Sequence, residues 1–165
     1  MATQTQRHLR AGMGKDNDKK ASGAESITRD ALIENLNRDL AGEYQAILTY
    51  IHYAAKLTGP YRNELRSLLQ SEVADEQRHA QFLADKIAAL DGQPTNEPRP
   101  VPQADEPREM LENILELERQ AIADYTERVG QAERFGDLGL KVDLENQVAD
   151  ETRHFEEIQR ILAGW

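Results

Sequence analysis

From Ile27 onward, apolar residues recur three and four positions apart, through Leu32, Leu36, Leu40, Ile47 and Tyr50. That spacing places them on one face of a helix, and Ser26 or Thr28 stands where an N-cap belongs. The run stops at Gly59-Pro60, because glycine suits the position after a helix and proline cannot extend its hydrogen-bond ladder. A second run, Leu65, Leu68, Leu69, Val73, Phe82, Leu83, Ile87 and Leu90, ends at Asp91-Gly92. Each run of about 30 residues predicts a helix about 45 Å long. Five prolines between Gly92 and Arg108 then forbid regular helix and predict an extended, stiff crossover. A third run (Met110, Leu111, Ile114, Leu117, Ile122, Tyr125, Val129) spans about Arg108 to Arg134. Gly136-Asp137 separates it from a fourth, through Leu140, Leu144, Val148, Phe155, Ile158, Ile161 and Leu162. Short, long and short connections between four helices predict an all-α four-helix bundle with one long crossover between helices two and three.

The pattern also repeats at an offset of 75 residues, in register on two separate helices. Glu43 to Tyr50 matches Glu118 to Tyr125 at five of eight positions, and Leu69 to His79 matches Leu144 to His154 at seven of eleven. Two helical hairpins related by a pseudo-twofold axis are therefore expected. Residues 1–26 lack this periodicity and carry five basic against three acidic residues, a net +2. They are expected to form a flexible N-terminal arm before a domain at 27–165. Of the net charge of −10, the domain then carries −12. The absence of cysteine removes disulfides, Cys-ligated zinc, iron–sulfur clusters and thiol catalysis, so a metal here must be held by carboxylate and imidazole. No membrane span or secretory signal is evident, and a cytoplasmic protein is the expectation.

The repeat carries the candidate chemistry. Glu76 and His79 lie three apart on helix two, as do Glu151 and His154 on helix four, so each pair projects from one helix face. Glu43 and Glu118 add a carboxylate from each remaining helix, and their neighbours Leu40, Ile47, Leu117, Ala121 and Ile122 predict that they face inward. A single Glu-x-x-His motif is common by chance on acidic helices. Two copies at the offset shared by two inward glutamates are not. Four buried carboxylates each cost several kcal/mol unless neutralised, and two divalent cations beside two neutral histidines bring the sum to zero. The reading is a dinuclear site of oxygen donors with one imidazole per metal, suited to Fe²⁺ or Mn²⁺, with zinc able to compete. No Gly-rich phosphate loop or nucleophilic arrangement accompanies it.

These residues resemble the di-iron carboxylate site of the ferritin-like superfamily over about residues 29–163. The segments Ala-Asp-Glu-Gln-Arg-His-Ala and Asp-Glu-Thr-Arg-His are most similar to bacterioferritin. The resemblance implies a ferroxidase and iron store that oxidises Fe²⁺ with O₂ or H₂O₂ at two iron ions per chain. By the same likeness Glu76 and Glu151 bridge, Glu43 and Glu118 are terminal, and His79 and His154 each bind one iron. It further implies that Asp75 receives the N–H of His154 and Asp150 that of His79, and that Tyr50, with its repeat partner Tyr125, adjoins the site. Glu72, one turn before Glu76, has Gln147 as its counterpart, so an exposed role is expected rather than a third-metal site. His52 is expected to be a satisfied interhelical histidine and His8 a tail residue.

Two departures from bacterioferritin bear on assembly. Gln77 stands where that family places its haem-binding methionine, so no haem is expected. Only 11 residues follow His154, too few for a fifth helix, which favours a homo-oligomeric shell of 12 subunits, as in Dps-like proteins, over 24. Alternative readings are a DNA-protecting mini-ferritin whose basic arm holds phosphate, and a di-manganese or di-iron enzyme that consumes peroxide.

Overall fold

A computed structural model describes residues 26–165. The arm expected over 1–26, with its five basic residues and His8, lies outside them save for Ser26. The described residues form four helices: α1 (Arg29–Lys56), α2 (Arg62–Ala89), α3 (Pro107–Phe135) and α4 (Leu138–Ala163). This is the all-α four-helix bundle with one long crossover expected from the periodicity. None of these helices is long and apolar enough to cross a membrane. α1 pairs with α2 and α3 with α4 through short turns, and α1 packs along α3. The contacts Asp39–Arg128, Tyr50–Glu118 and Tyr53–Asn113 show that α1 and α3 run antiparallel.

Local chemistry sets the helix ends. Thr28 caps α1 by accepting from the Ala31 N–H. α1 stops at Lys56, before Gly59, because Leu57 turns out of the helix at ψ 136° and buries its side chain in the core. Gly136, at φ 87°, ends α3 in the left-handed conformation that glycine adopts without strain. Asp137 then caps α4, accepting from the Leu140 N–H at 2.9 Å, and also pairs with Lys86 of α2. Where α2 gives way to the crossover, Gly92 is required for space: a Cβ there would lie 2.7 Å from Ile33 Cγ2 and 2.9 Å from Ile87 Cγ2.

The crossover lies along α1 as a strap. Prolines remove its N–H donors, and α1 side chains supply donors to its carbonyls. Asn37 donates to Gln93 O, Gln45 to Pro100 O, Tyr53 to Pro102 O and Lys56 to Ala104 O. Arg99 donates its backbone N–H to Ala41 O at 2.9 Å. Its guanidinium rests on Gly42, where a Cβ would come within 3.3 Å of Cζ.

The apolar core is divided in two. One cluster gathers Tyr50, Tyr53, Leu57, Leu69, Met110, Leu111 and Ile158. The other gathers Leu32, Leu36, Leu40, Leu83, Ile87, Tyr125 and Leu144. Between them lies a band of buried polar groups. At one edge of this band Arg128 donates to both Asp39 oxygens, at 2.6 and 3.0 Å, with both side chains almost wholly buried. Burial raises the Asp39 pKa, and the facing guanidinium opposes that rise.

Two stability changes follow. Asp39→Ala, which strands the Arg128 charge, should cost about 3–5 kcal/mol in urea unfolding, and the double change Asp39→Leu with Arg128→Met should recover most of it. Asp137→Ala should cost about 1 kcal/mol at neutral pH. The Leu140 N–H, then Lys86, lower the Asp137 pKa. Its contribution is therefore complete above the ordinary carboxylate range and is lost as pH falls through the lowered value. Urea unfolding repeated down the acid range should show wild type and Asp137→Ala converging.

Candidate metal centre

Six side chains converge in the polar band, three from each hairpin. Glu43 comes from α1, Glu76 and His79 from α2, Glu118 from α3, and Glu151 and His154 from α4, and all six are buried. One turn separates each glutamate from its histidine, so both point the same way from one helix face. The six fall into two overlapping groups whose donor atoms all lie within 4.8 Å of one another: Glu43, Glu76, His79 and Glu151, and Glu76, Glu118, Glu151 and His154. Glu76 and Glu151 belong to both.

The imidazoles are oriented alike. His79 Nδ1 lies 2.8 Å from Glu151, 3.4 Å from Glu76 and 3.7 Å from Glu43. His154 Nδ1 lies 3.5 Å from Glu76, 3.6 Å from Glu151 and 3.7 Å from Glu118. None of these approaches has hydrogen-bond geometry. Both Nδ1 atoms, with Glu43 Oε2, Glu76 Oε1 and Glu151 Oε1, are buried without a hydrogen-bond partner. Five orphaned donors and acceptors at one point, all hard oxygen or imidazole nitrogen, fit a divalent cation.

The electrostatics have the same origin. Burial raises the pKa of Glu43 and of Glu118 well above the usual carboxylate value, and the neighbouring charge of Glu76 adds to the rise. Burial opposes charge on the histidines too, but the carboxylates close by, Glu151 and Glu43 for His79, and Glu118 and Glu151 for His154, override it and raise both. Glu151 is lowered, since the two histidines outweigh its burial. The cluster is short of positive charge, and protons and metal ions compete for the same atoms.

The two tyrosines cross between hairpins. Tyr50 donates its hydroxyl to Glu118, and Tyr125 donates to Glu43. Burial raises both phenol pKa values, so the hydroxyls stay protonated donors. On the outer side, His79 Nε2 lies 3.5 Å from Asp150 and His154 Nε2 3.6 Å from Asp75. Beneath Arg99 a cavity of about 30 Å³, lined by Gly42, Ala46 and Ala121, reaches Glu43 and Glu118. It has room for one or two water-sized molecules.

Two expectations need correction. Glu72 is not an exposed residue: only 15 % of its side chain is accessible, and its carboxylate lies 2.9 Å from His154 Nε2, nearer than Asp75. It leans toward the imidazole because it sits one turn before Glu76 on the same face of α2. His52 is not a satisfied histidine, since its Nε2 is buried without a hydrogen-bond partner and its ring tilts against Tyr53. Asp39 and Arg128 carry a buried pair that sequence reasoning missed. Its signal was the position of Asp39 one turn before Glu43 on the inward face.

Comparison with known proteins gives this geometry its context. The Ferritin family, described as a ferritin-like domain, matches residues 33–164. A bacterial ferritin of Pseudomonas aeruginosa is 29 % identical over 119 residues, 72 % of this chain and 77 % of that protein. A ferritin-like, di-iron-carboxylate protein from Bacillus anthracis superposes with a TM-score of 0.80 at 48 % identity, covering 81 % of this chain and 96 % of that one. A dodecameric thioferritin, the bacterioferritin-related protein from Bacteroides fragilis, superposes with a TM-score of 0.76 at 25 % identity, over 84 % and 88 % of the two chains. The chain belongs to the ferritin-like domain family.

Proposed function

We propose that this protein is a ferroxidase and iron store that takes Fe²⁺ as substrate at a dinuclear centre within each chain. The observation that carries the reading is the overlap of two four-donor groups on Glu76 and Glu151. Each group offers three carboxylates and one imidazole, and the shared pair gives each ion a link to its neighbour. Four carboxylates balance two Fe²⁺ with both imidazoles neutral, so binding displaces protons from the cluster.

In this reading Glu43 and His79 complete one position and Glu118 and His154 the other. Tyr125 and Tyr50 hold the two terminal carboxylates in place from the opposite hairpin. Two adjacent Fe²⁺ deliver two electrons to one oxidant: O₂ with two protons becomes H₂O₂, and H₂O₂ with two protons becomes two waters. The cavity under Arg99 is of a size to admit such an oxidant. The oxidised iron then passes to a store. The dodecameric relative supports a 12-subunit homo-oligomer, and the acidic domain would attract cations toward it. The proposed setting is the cytoplasm. The flexible-arm assignment and the DNA-protecting alternative rest on residues outside those described.

Anaerobic titration should saturate near two Fe²⁺ per chain, and O₂ or H₂O₂ should then oxidise the bound ions, with iron continuing to load into a large particle. Glu76→Ala and His154→Ala should each abolish the rapid oxidation phase while far-UV circular dichroism keeps its helical signal. Normal oxidation in both variants would sink the site assignment. Two ions bound without further loading would point to a peroxide-consuming di-metal enzyme on the same bundle.

A further inference from the structure

The internal repeat supplies its own control. Every residue of the centre has a counterpart 75 positions away: Glu43 and Glu118, Tyr50 and Tyr125, Asp75 and Asp150, Glu76 and Glu151, His79 and His154. Glu72 does not, because Gln147 stands at the matching place. The difference falls on the outer nitrogen of one imidazole only. His154 Nε2 has the Glu72 carboxylate at 2.9 Å and Asp75 at 3.6 Å. Among the described residues His79 Nε2 has Asp150 alone, hydrogen-bonded at the long distance of 3.5 Å. Each aspartate is further engaged by the arginine three residues on, Arg78 or Arg153, which divides its pull. Among the described residues Glu72 pairs with His154 alone.

A histidine that binds metal through Nδ1 carries its proton on Nε2. A carboxylate close to that N–H favours the tautomer protonated there, orients the ring and makes Nδ1 a stronger donor. Both groups are largely shielded from water, so the interaction is weakly screened. We infer that Glu72 is a positioning residue that makes the two metal positions inequivalent, the one served by His154 being the tighter and the first to fill. The inference rests on the dinuclear reading above. It gives a role to the one polar residue in which the two halves of the centre differ on this outer side.

The test uses Co²⁺, which reports binding by its d–d absorption and by calorimetry without being oxidised by air on the timescale of a titration. The full chain should take up two Co²⁺ in resolved steps. Glu72→Gln keeps the volume and removes the charge; it should weaken the first step by about 10–100-fold and merge the two, with an unchanged thermal midpoint for the metal-free protein. The decisive comparison places Glu72→Gln in two backgrounds. With His79→Ala, which leaves the His154 position, it should weaken Co²⁺ binding by that same factor. With His154→Ala, which leaves the His79 position, it should leave Co²⁺ binding as it was. Equal weakening in both backgrounds, or none in either, would overturn the inference while leaving the dinuclear centre standing. A third Co²⁺ per chain that disappears with Glu72→Gln would overturn it too, by making Glu72 a ligand. Failure of the unsubstituted chain to bind two Co²⁺ would instead remove the dinuclear reading, and the inference with it.

Discussion

Four carboxylates meet in the middle of a bundle 28 residues long on its first two helices, and the rest of the architecture answers to their charge. Burying four charges costs free energy, and mutual repulsion adds to that cost. The protein brings positive or hydrogen-bonding partners to every one: His79 and His154 inside the cluster, Tyr50 and Tyr125 at the terminal carboxylates. The apolar core is accordingly split into two clusters, one toward each end, with the polar band between them. Those end clusters supply the burial that holds the helices while the band is kept polar enough to receive a cation.

Polarity in the band is spent in two distinct ways. At Asp39 and Arg128 the charges satisfy one another, with two aligned contacts, and tie α1 to α3. At the six-residue cluster the partners come close without hydrogen-bond alignment, and acceptors and donors stay orphaned. The first arrangement is structural, with Arg128 Nη1 the one polar atom of the pair left without a hydrogen bond. The second is unsatisfied by the polypeptide itself, which is the physical mark of a place meant for something else. The strap of the crossover belongs to the same scheme, since Arg99 on Gly42 covers the outer face of the cavity that leads to Glu43 and Glu118.

Much of this was legible before any coordinates. Three-and-four spacing gave four helices, proline spacing gave the crossover, and the 75-residue repeat picked out the six residues that converge. What escaped detection has physical causes. Asp39 and Arg128 have no repeat counterparts, Ile114 and Tyr53 standing in their places, so the pattern that found the cluster passed over them. Helical periodicity assigns a residue to a face but not to a partner, and the crossing of Tyr50 to Glu118 and Tyr125 to Glu43 depends on how α1 and α3 dock. Glu72 looked exposed because its counterpart is an amide, whereas reach along one helix face decides its contact. His52 shows the converse, a buried nitrogen that packing left without a partner. Leu57 ended α1 early because a side chain drawn into the core outweighed the turn signal two residues on.

The division of donors between hairpins has a consequence for how the two halves of the chain meet. Each four-donor group takes three residues from one hairpin and a single glutamate from the other, so each half reaches into its partner's set. The tyrosines do the same across α1 and α3. Sliding one hairpin against the other by a single helical turn, about 5.4 Å, would pull all of these contacts out of alignment together. The centre thus acts as a vernier: it is the mark by which two similar hairpins find their one correct register, and it exists only when they have found it.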